Sequence, residues 1–223
     1  MVNERTPGML IPAGSVQLTA DVVVPARASG VVLFAHGSGS SRHSPRNRAV
    51  ADVLNEHGLA TVLVDLLTYD EGQLDELTGE LRFDIGLLAD RLIGIVDWLA
   101  TGDPVGPLPI GLFGASTGAA GALVAAAERP QAVGAVVSRG GRPDLAGDDL
   151  SRVRAATLLL VGGFDEQVRQ LNEAALSRLS GPAELRVIPG ATHLFEEPGK
   201  LPEVAHAAAS WFTTQLVTVR GAV

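Results

Sequence analysis

The chain contains no cysteine, which excludes disulfides, thiolate metal sites and a cysteine nucleophile together and fits a reducing compartment. Any covalent chemistry must use another side chain. Lysine occurs once, as Lys200, and the formal net charge is −8. Nucleic-acid binders gain most of their affinity from clustered Lys and Arg, so this balance argues against nucleic acid as a partner. No stretch is apolar for the eighteen or more residues that a membrane span needs, and the opening MVNERTPG has no apolar signal-peptide core. These absences predict a soluble, unexported, cytoplasmic protein with no membrane partner. Also missing are an H-E-x-x-H or similar zinc cluster and the G-K-[ST] of a phosphate-binding loop. Gly37-Ser38-Gly39 continues to Arg42 where a dinucleotide fingerprint needs glycine or alanine. No metal and no cofactor is expected.

What is present is apolar and punctuated. The 223 residues are 46% hydrophobic, and the 26 glycines and 13 prolines lie between apolar runs rather than in one tract, so they read as turns within a single domain covering 1–223. After a hairpin expected at about Met9 to Val24, turning at Ala13-Gly14, six short runs follow: Val31–Ala35, Ala60–Val64, Pro109–Phe113, Val133–Val137, Thr157–Val161 and Leu185–Ile188. Most lack apolar/polar alternation, as parallel strands covered on both faces do. Helical segments fill the gaps, at Ser44-Pro45 to Gly58, Phe83–Ala100, Thr117–Arg129, Glu166–Leu179 and Pro202–Leu216. The pattern predicts an α/β fold: a six-stranded parallel core with a two-stranded antiparallel edge, and ligands beyond the carboxyl ends of the strands. Leu67 to Arg82 reads as the longest irregular segment. Its Asp70, Glu71, Asp75 and Glu76 fit either a rim of the site or an ordinary solvated loop.

The loop after the third run is Gly114-Ala115-Ser116-Thr117-Gly118, followed by a helix. That is the G-x-S-x-G elbow in its strand–turn–helix setting, which raises a serine hydroxyl above the sheet edge. The bland readings are a small serine in a tight βα turn, or glycines that serve phosphate binding; the missing nucleotide fingerprints argue against the second. A serine needs a base. Of the five histidines, His193 alone follows the last strand; His57 and His206 fall in helical stretches and read as surface residues, and His36 closes the first run and reads as a loop-ordering residue. Asp165, after the fifth run, supplies the carboxylate that holds a histidine tautomer and completes the chain order Ser, Asp, His. Glu166 is the neighbouring alternative, and either acid could cap the helix that begins there. Oxyanion donors are expected from the backbone N–H groups of Thr117 and of Ser38, in the His36–Ser40 loop.

Five blocks then carry a family resemblance: AHGSGSSRHSPRN (Ala35 to Asn47), GASTG (Gly114 to Gly118), SRGGRPDL (Ser138 to Leu145), VGGFDEQV (Val161 to Val168) and PGATHLFEEPG (Pro189 to Gly199). Over nearly its whole length the chain resembles the dienelactone hydrolase branch of the α/β-hydrolases, in a subgroup sometimes joined to a phosphoribosyltransferase domain. The resemblance implies the α/β-hydrolase fold with about eight strands and no large cap, and a serine hydrolase cleaving a small-molecule ester, lactone or thioester. Dienelactone hydrolase proper works with a cysteine nucleophile, where this chain has Ser116. Arginines anchor the substrate carboxylate there, which implies that role for Arg139 or Arg142; loop ion pairs with Asp144, Asp148 or Asp149 are the alternative. A ligand-binding or partner module with little turnover, and an acyltransferase, are the other functions considered. Acyl group, leaving group and oligomeric state are left open.

Overall fold

The computed structural model describes residues 4–102 and 104–218. In chain order the elements are β1 (Glu4–Ala13), β2 (Val16–Val24), β3 (Gly30–Ala35), α1 (Pro45–Glu56), β4 (Leu59–Val64), α2 (Tyr69–Thr78), α3 (Ile85–Ala100), β5 (Ile110–Ala115), α4 (Thr117–Glu128), β6 (Val133–Arg139), β7 (Ala156–Gly162), α5 (Glu166–Leu176), β8 (Ala183–Ile188) and α6 (Lys200–Thr218), with 3-10 turns at Leu81–Phe83 and Pro143–Arg152. One eight-stranded sheet runs in the order β1-β2-β4-β3-β5-β6-β7-β8. β1 pairs antiparallel with β2, and β2 antiparallel with β4. The other six strands are mutually parallel.

The runs lack alternation because both faces are buried. Val31, Leu33 and Ala35 of β3 join one apolar cluster, with Leu88, Leu92 and Leu123 from α3 and α4. Val32 and Phe34 join the other, with Leu54 of α1 and Phe212 of α6. A half-covered strand would show polar residues at every second place, and here each place meets a helix. The one-residue linker between β5 and α4 and the short segments after the other parallel strands bring the chemistry-bearing loops to one edge of the sheet.

Two expectations need correction. The hairpin begins at Glu4 rather than Met9, its residues 4–8 being exposed on the outermost strand, where apolar patterning leaves no mark. The 67–82 segment is not irregular but contains α2, started by a capping box in which the Thr68 hydroxyl accepts from Glu71 N–H and the Glu71 carboxylate from Thr68 N–H. Asp75 of α2 is buried against Arg82 at 2.6 Å, and Glu71 pairs with Arg91 at 2.6 Å. Those acids therefore latch α2 to its neighbours instead of lying solvated. Among the described residues no helix is long and apolar enough to cross a membrane.

Candidate active site

Ser116 stands between β5 and α4 with φ 51° and ψ −122°, a region that non-glycine residues rarely enter and that costs roughly 1–3 kcal/mol. The surrounding packing enforces it. A β-carbon on Gly114 would lie 2.4 Å from Ala119 Cα, and one on Gly118 would lie 2.3 Å from Ala35 O and 2.4 Å from His36 O. Gly114 thus lets α4 fold back on β5, and Gly118 lets it start against the end of β3, with no space between backbones. Ser116 N–H donates to Arg139 O at 3.2 Å, and Ser116 O accepts from Arg142 N–H at 3.1 Å, so the loop after β6 braces the turn.

His193 lies in the loop between β8 and α6, and its Nδ1 is 2.6 Å from Asp165 Oδ2. Asp165 occupies the position before α5 yet caps no N–H there; its carboxylate is turned to the imidazole. Glu166 pairs with Arg169 at 2.6 Å in solvent. An imidazole whose Nδ1–H is held by a carboxylate has Nε2 free to take a proton. The 139–142 segment lies between serine and histidine: a β-carbon on Gly140 would be 3.4 Å from His193 Cε1. Phe195, buried at φ 57°, anchors the histidine loop in the core, and Glu197 accepts from Thr192 N–H at 3.1 Å. No sequence signal marks a phenylalanine for positive φ.

The oxyanion loop differs in detail from expectation. Thr117 opens α4, whose first N–H groups have no intrahelical acceptor. Ser38 N–H, by contrast, donates to Thr117 Oγ1 at 2.9 Å. His36 orders the loop: Nδ1 is 3.0 Å from Gly37 O, and Leu66 N–H donates to Nε2 at 3.2 Å. Both contacts require the neutral ring protonated on Nδ1, and burial pushes the His36 pKa below the ordinary value. Beside this loop opens a cavity of about 630 Å³, lined by Ser38, Arg42, Asp65, Tyr69 and Arg82 among others. Neither Ser116 nor His193 lines it. On the histidine side, Phe164 and Leu194 stand exposed next to Asp165 and His193 in sequence.

The two arginines part company. Arg142 forms a two-pronged pair with Asp144 at 2.8 and 2.7 Å, the loop ion pair considered as an alternative. Arg139 is buried, with one 3.3 Å bond from Nη2 to Asn47 Oδ1 and no partner for Nε or Nη1 among the described residues. Burial, and then the nearby charge of Arg46, lower its pKa to about 10. Among the described residues no group of three or more His, Asp or Glu is placed to hold a metal ion.

Residues 30–181 match the sequence profile of the alpha/beta hydrolase fold family. The crystal structure of dienelactone hydrolase from Anabaena variabilis ATCC 29413 is 55% identical, covers 96% of this chain and 99% of its own, and superposes with a TM-score of 0.92. The chain belongs to the α/β-hydrolase family, in its dienelactone hydrolase-like group. Two Mycobacterium tuberculosis proteins provisionally named phosphoribosyl transferase, from strains CDC 1551 and H37Rv, are each 55% identical over 206 residues. These residues are 92% of this chain and 46% of theirs, so the chain spans about half the length of the curated relatives it matches. Est1E from Butyrivibrio proteoclasticus, 19% identical with 94% and 99% of the two chains covered, shares the α/β-hydrolase fold at a TM-score of 0.78. Fold and dienelactone hydrolase relative together support a hydrolase.

Proposed function

We propose that the protein is a serine hydrolase that cleaves a small carboxylic ester, lactone or thioester through an acyl-enzyme on Ser116. The observation that carries this reading is the pair of constraints on one edge of the sheet: a serine held at positive φ by two glycines that tolerate no side chain, and a histidine oriented by a carboxylate at 2.6 Å. The positive φ of Ser116 works against folding, and strain of this kind clusters at functional sites. His193 Nε2 takes the Ser116 proton as Oγ bonds to the substrate carbonyl carbon, whose π pair moves onto oxygen. That pair returns as the bond to the leaving group breaks, and His193 gives the leaving oxygen or sulfur its proton. Water repeats the sequence on the acyl-enzyme.

We read the chain's half-length match to the proteins provisionally named phosphoribosyl transferase as a hydrolase segment beside a separate transferase segment. Arg139 is the group that selects the substrate. A buried guanidinium with two unpartnered nitrogens is costly, and an anionic group on the acyl or leaving part would supply the missing partner. Arg142, already paired, has no such role. The test is one panel of p-nitrophenyl esters and thioesters of graded chain length, each in anionic and neutral form, run on wild type, Ser116→Ala and Arg139→Met. Turnover abolished by Ser116→Ala is expected, with a preference for anionic esters that Arg139→Met reduces about 10- to 100-fold, the worth of a hydrogen bond to a charged group. Turnover that survives Ser116→Ala contradicts the acyl-enzyme, and equal use of both forms contradicts the arginine's role.

A further inference from the structure

An oxyanion hole needs two donors aimed at one point, and here one of the two expected amides is already engaged. Ser38 N–H donates to Thr117 Oγ1 at 2.9 Å. The engagement is built in. His36 Nδ1 bonds Gly37 O at 3.0 Å, and Ser40 N–H donates to the same oxygen at 3.2 Å, so the carbonyl of the Gly37–Ser38 peptide is held from two sides. The N–H of a trans peptide points opposite its C=O, and this one points at the threonine. A larger residue at Gly37 would be crowded, because a β-carbon there would stand 3.0 Å from Ser116 Cβ and 3.1 Å from Ala115 O.

Thr117 is itself buried. Its hydroxyl oxygen accepts from Ser38, and its proton has no acceptor among the described residues. A buried hydroxyl with an unused proton costs free energy unless something receives it. The same residue carries the other expected amide, at the open N-terminus of α4. One side chain therefore sits between the two backbone donors, with a proton to give.

We propose that the Thr117 hydroxyl is a catalytic donor of the oxyanion hole, taking a hydrogen bond from Ser38 N–H and giving its own to the oxyanion that forms beside Thr117 N–H. The inference rests on the serine-hydrolase reading above and replaces the direct Ser38 amide by a relay. No proton is transferred: the hydroxyl keeps its hydrogen throughout, giving its bond while the carbonyl π pair resides on oxygen and releasing it as that pair re-forms the carbonyl. Donation from Ser38 polarises the hydroxyl and strengthens the bond it gives. The alternative arrangement, in which the hydroxyl merely plugs the hole until substrate displaces it, predicts the opposite sign on mutation.

The test uses p-nitrophenyl acetate turnover and inhibition by phenylboronic acid, whose serine adduct is tetrahedral, on wild type, Thr117→Ser, Thr117→Val and Thr117→Ala. Valine keeps the branched shape and removes the hydroxyl; serine keeps the hydroxyl and removes a methyl. The relay predicts that valine and alanine each lose roughly 10²-fold in kcat or more, as removal of one oxyanion donor does elsewhere. KM should change little, boronate affinity should fall in parallel with kcat, and serine should restore kcat to within a few-fold of wild type. A purely structural threonine would instead lower Tm and fail to track boronate affinity. Valine or alanine variants as fast as wild type, or faster, overturn the relay and identify the hydroxyl as a plug. If wild type itself hydrolyses no ester and forms no boronate adduct, the serine-hydrolase reading falls and takes this inference with it.

Discussion

His36 illustrates how a residue outside the proposed triad orders a loop beside Ser116. Its Nδ1–H donates to Gly37 O and its Nε2 accepts from Leu66 N–H; protonation of Nε2 keeps the first bond and removes the second. Burial outweighs the hydrogen bond to Gly37 and the charge of Asp65, and keeps the folded pKa low. The unfolded chain, titrating near the reference value of about 6.5, then binds more protons than the folded one as pH falls below that value. The stability His36 contributes is complete above pH 6.5 and is lost as pH falls toward and through the folded pKa, at most about 1.4 kcal/mol per pH unit for one proton. Thermal melts of wild type and His36→Asn between pH 7.5 and 5 should show a steeper loss in wild type. Parallel curves would mean that the ring titrates freely and does not order the loop. At this scale much was legible: the strained turn at Ser116, the pairing of Asp165 with His193 and the loop-ordering part of His36 all follow from residue type and position after a strand. Which of Arg139 and Arg142 is already paired, and where the Ser38 amide points, depends on side-chain rotamers and peptide planes that no spacing encodes.

At the scale of elements, the elbow is the joint between β5 and α4, and its glycines act through the backbone rather than through chemistry. A side chain on Gly118 meets Ala35 O and His36 O, both backbone atoms that cannot rotate away. Gly118→Val should therefore cost at least about 1–3 kcal/mol in a urea or thermal unfolding measurement, as overpacking does, and displace Ser116 enough to lower kcat/KM by 10²-fold or so. A variant as stable and active as wild type would show that the tight joint is not what presents the serine. The strands and five of the helices were readable because continuous apolar runs and the Ser44-Pro45 start leave strong local signals. α2 was not, since its face toward the protein is secured by Asp75 and Glu71 paired with Arg82 and Arg91 instead of by an apolar stripe, and polar latches look like a solvated loop in sequence.

Across the whole molecule, the parallel sheet collects residues far apart in sequence, Ser38 and Thr117 79 positions apart and Asn47 and Arg139 92 positions apart among them, at the carboxyl ends of its strands, where open α/β sheets hold their ligands. In the proposed hydrolase this collection activates Ser116. A fluorophosphonate, which bonds to a serine oxygen and mimics the tetrahedral intermediate, measures that activation without requiring the natural substrate. One equivalent should attach to Ser116. Asp165→Asn should leave weak labelling, slowed roughly 10³- to 10⁴-fold by loss of the correct tautomer. Ser116→Ala and His193→Ala should each abolish it, and the double variant should be no worse than either, because the members act as a unit. Labelling that maps to another serine, or that persists undiminished in His193→Ala, would contradict the account.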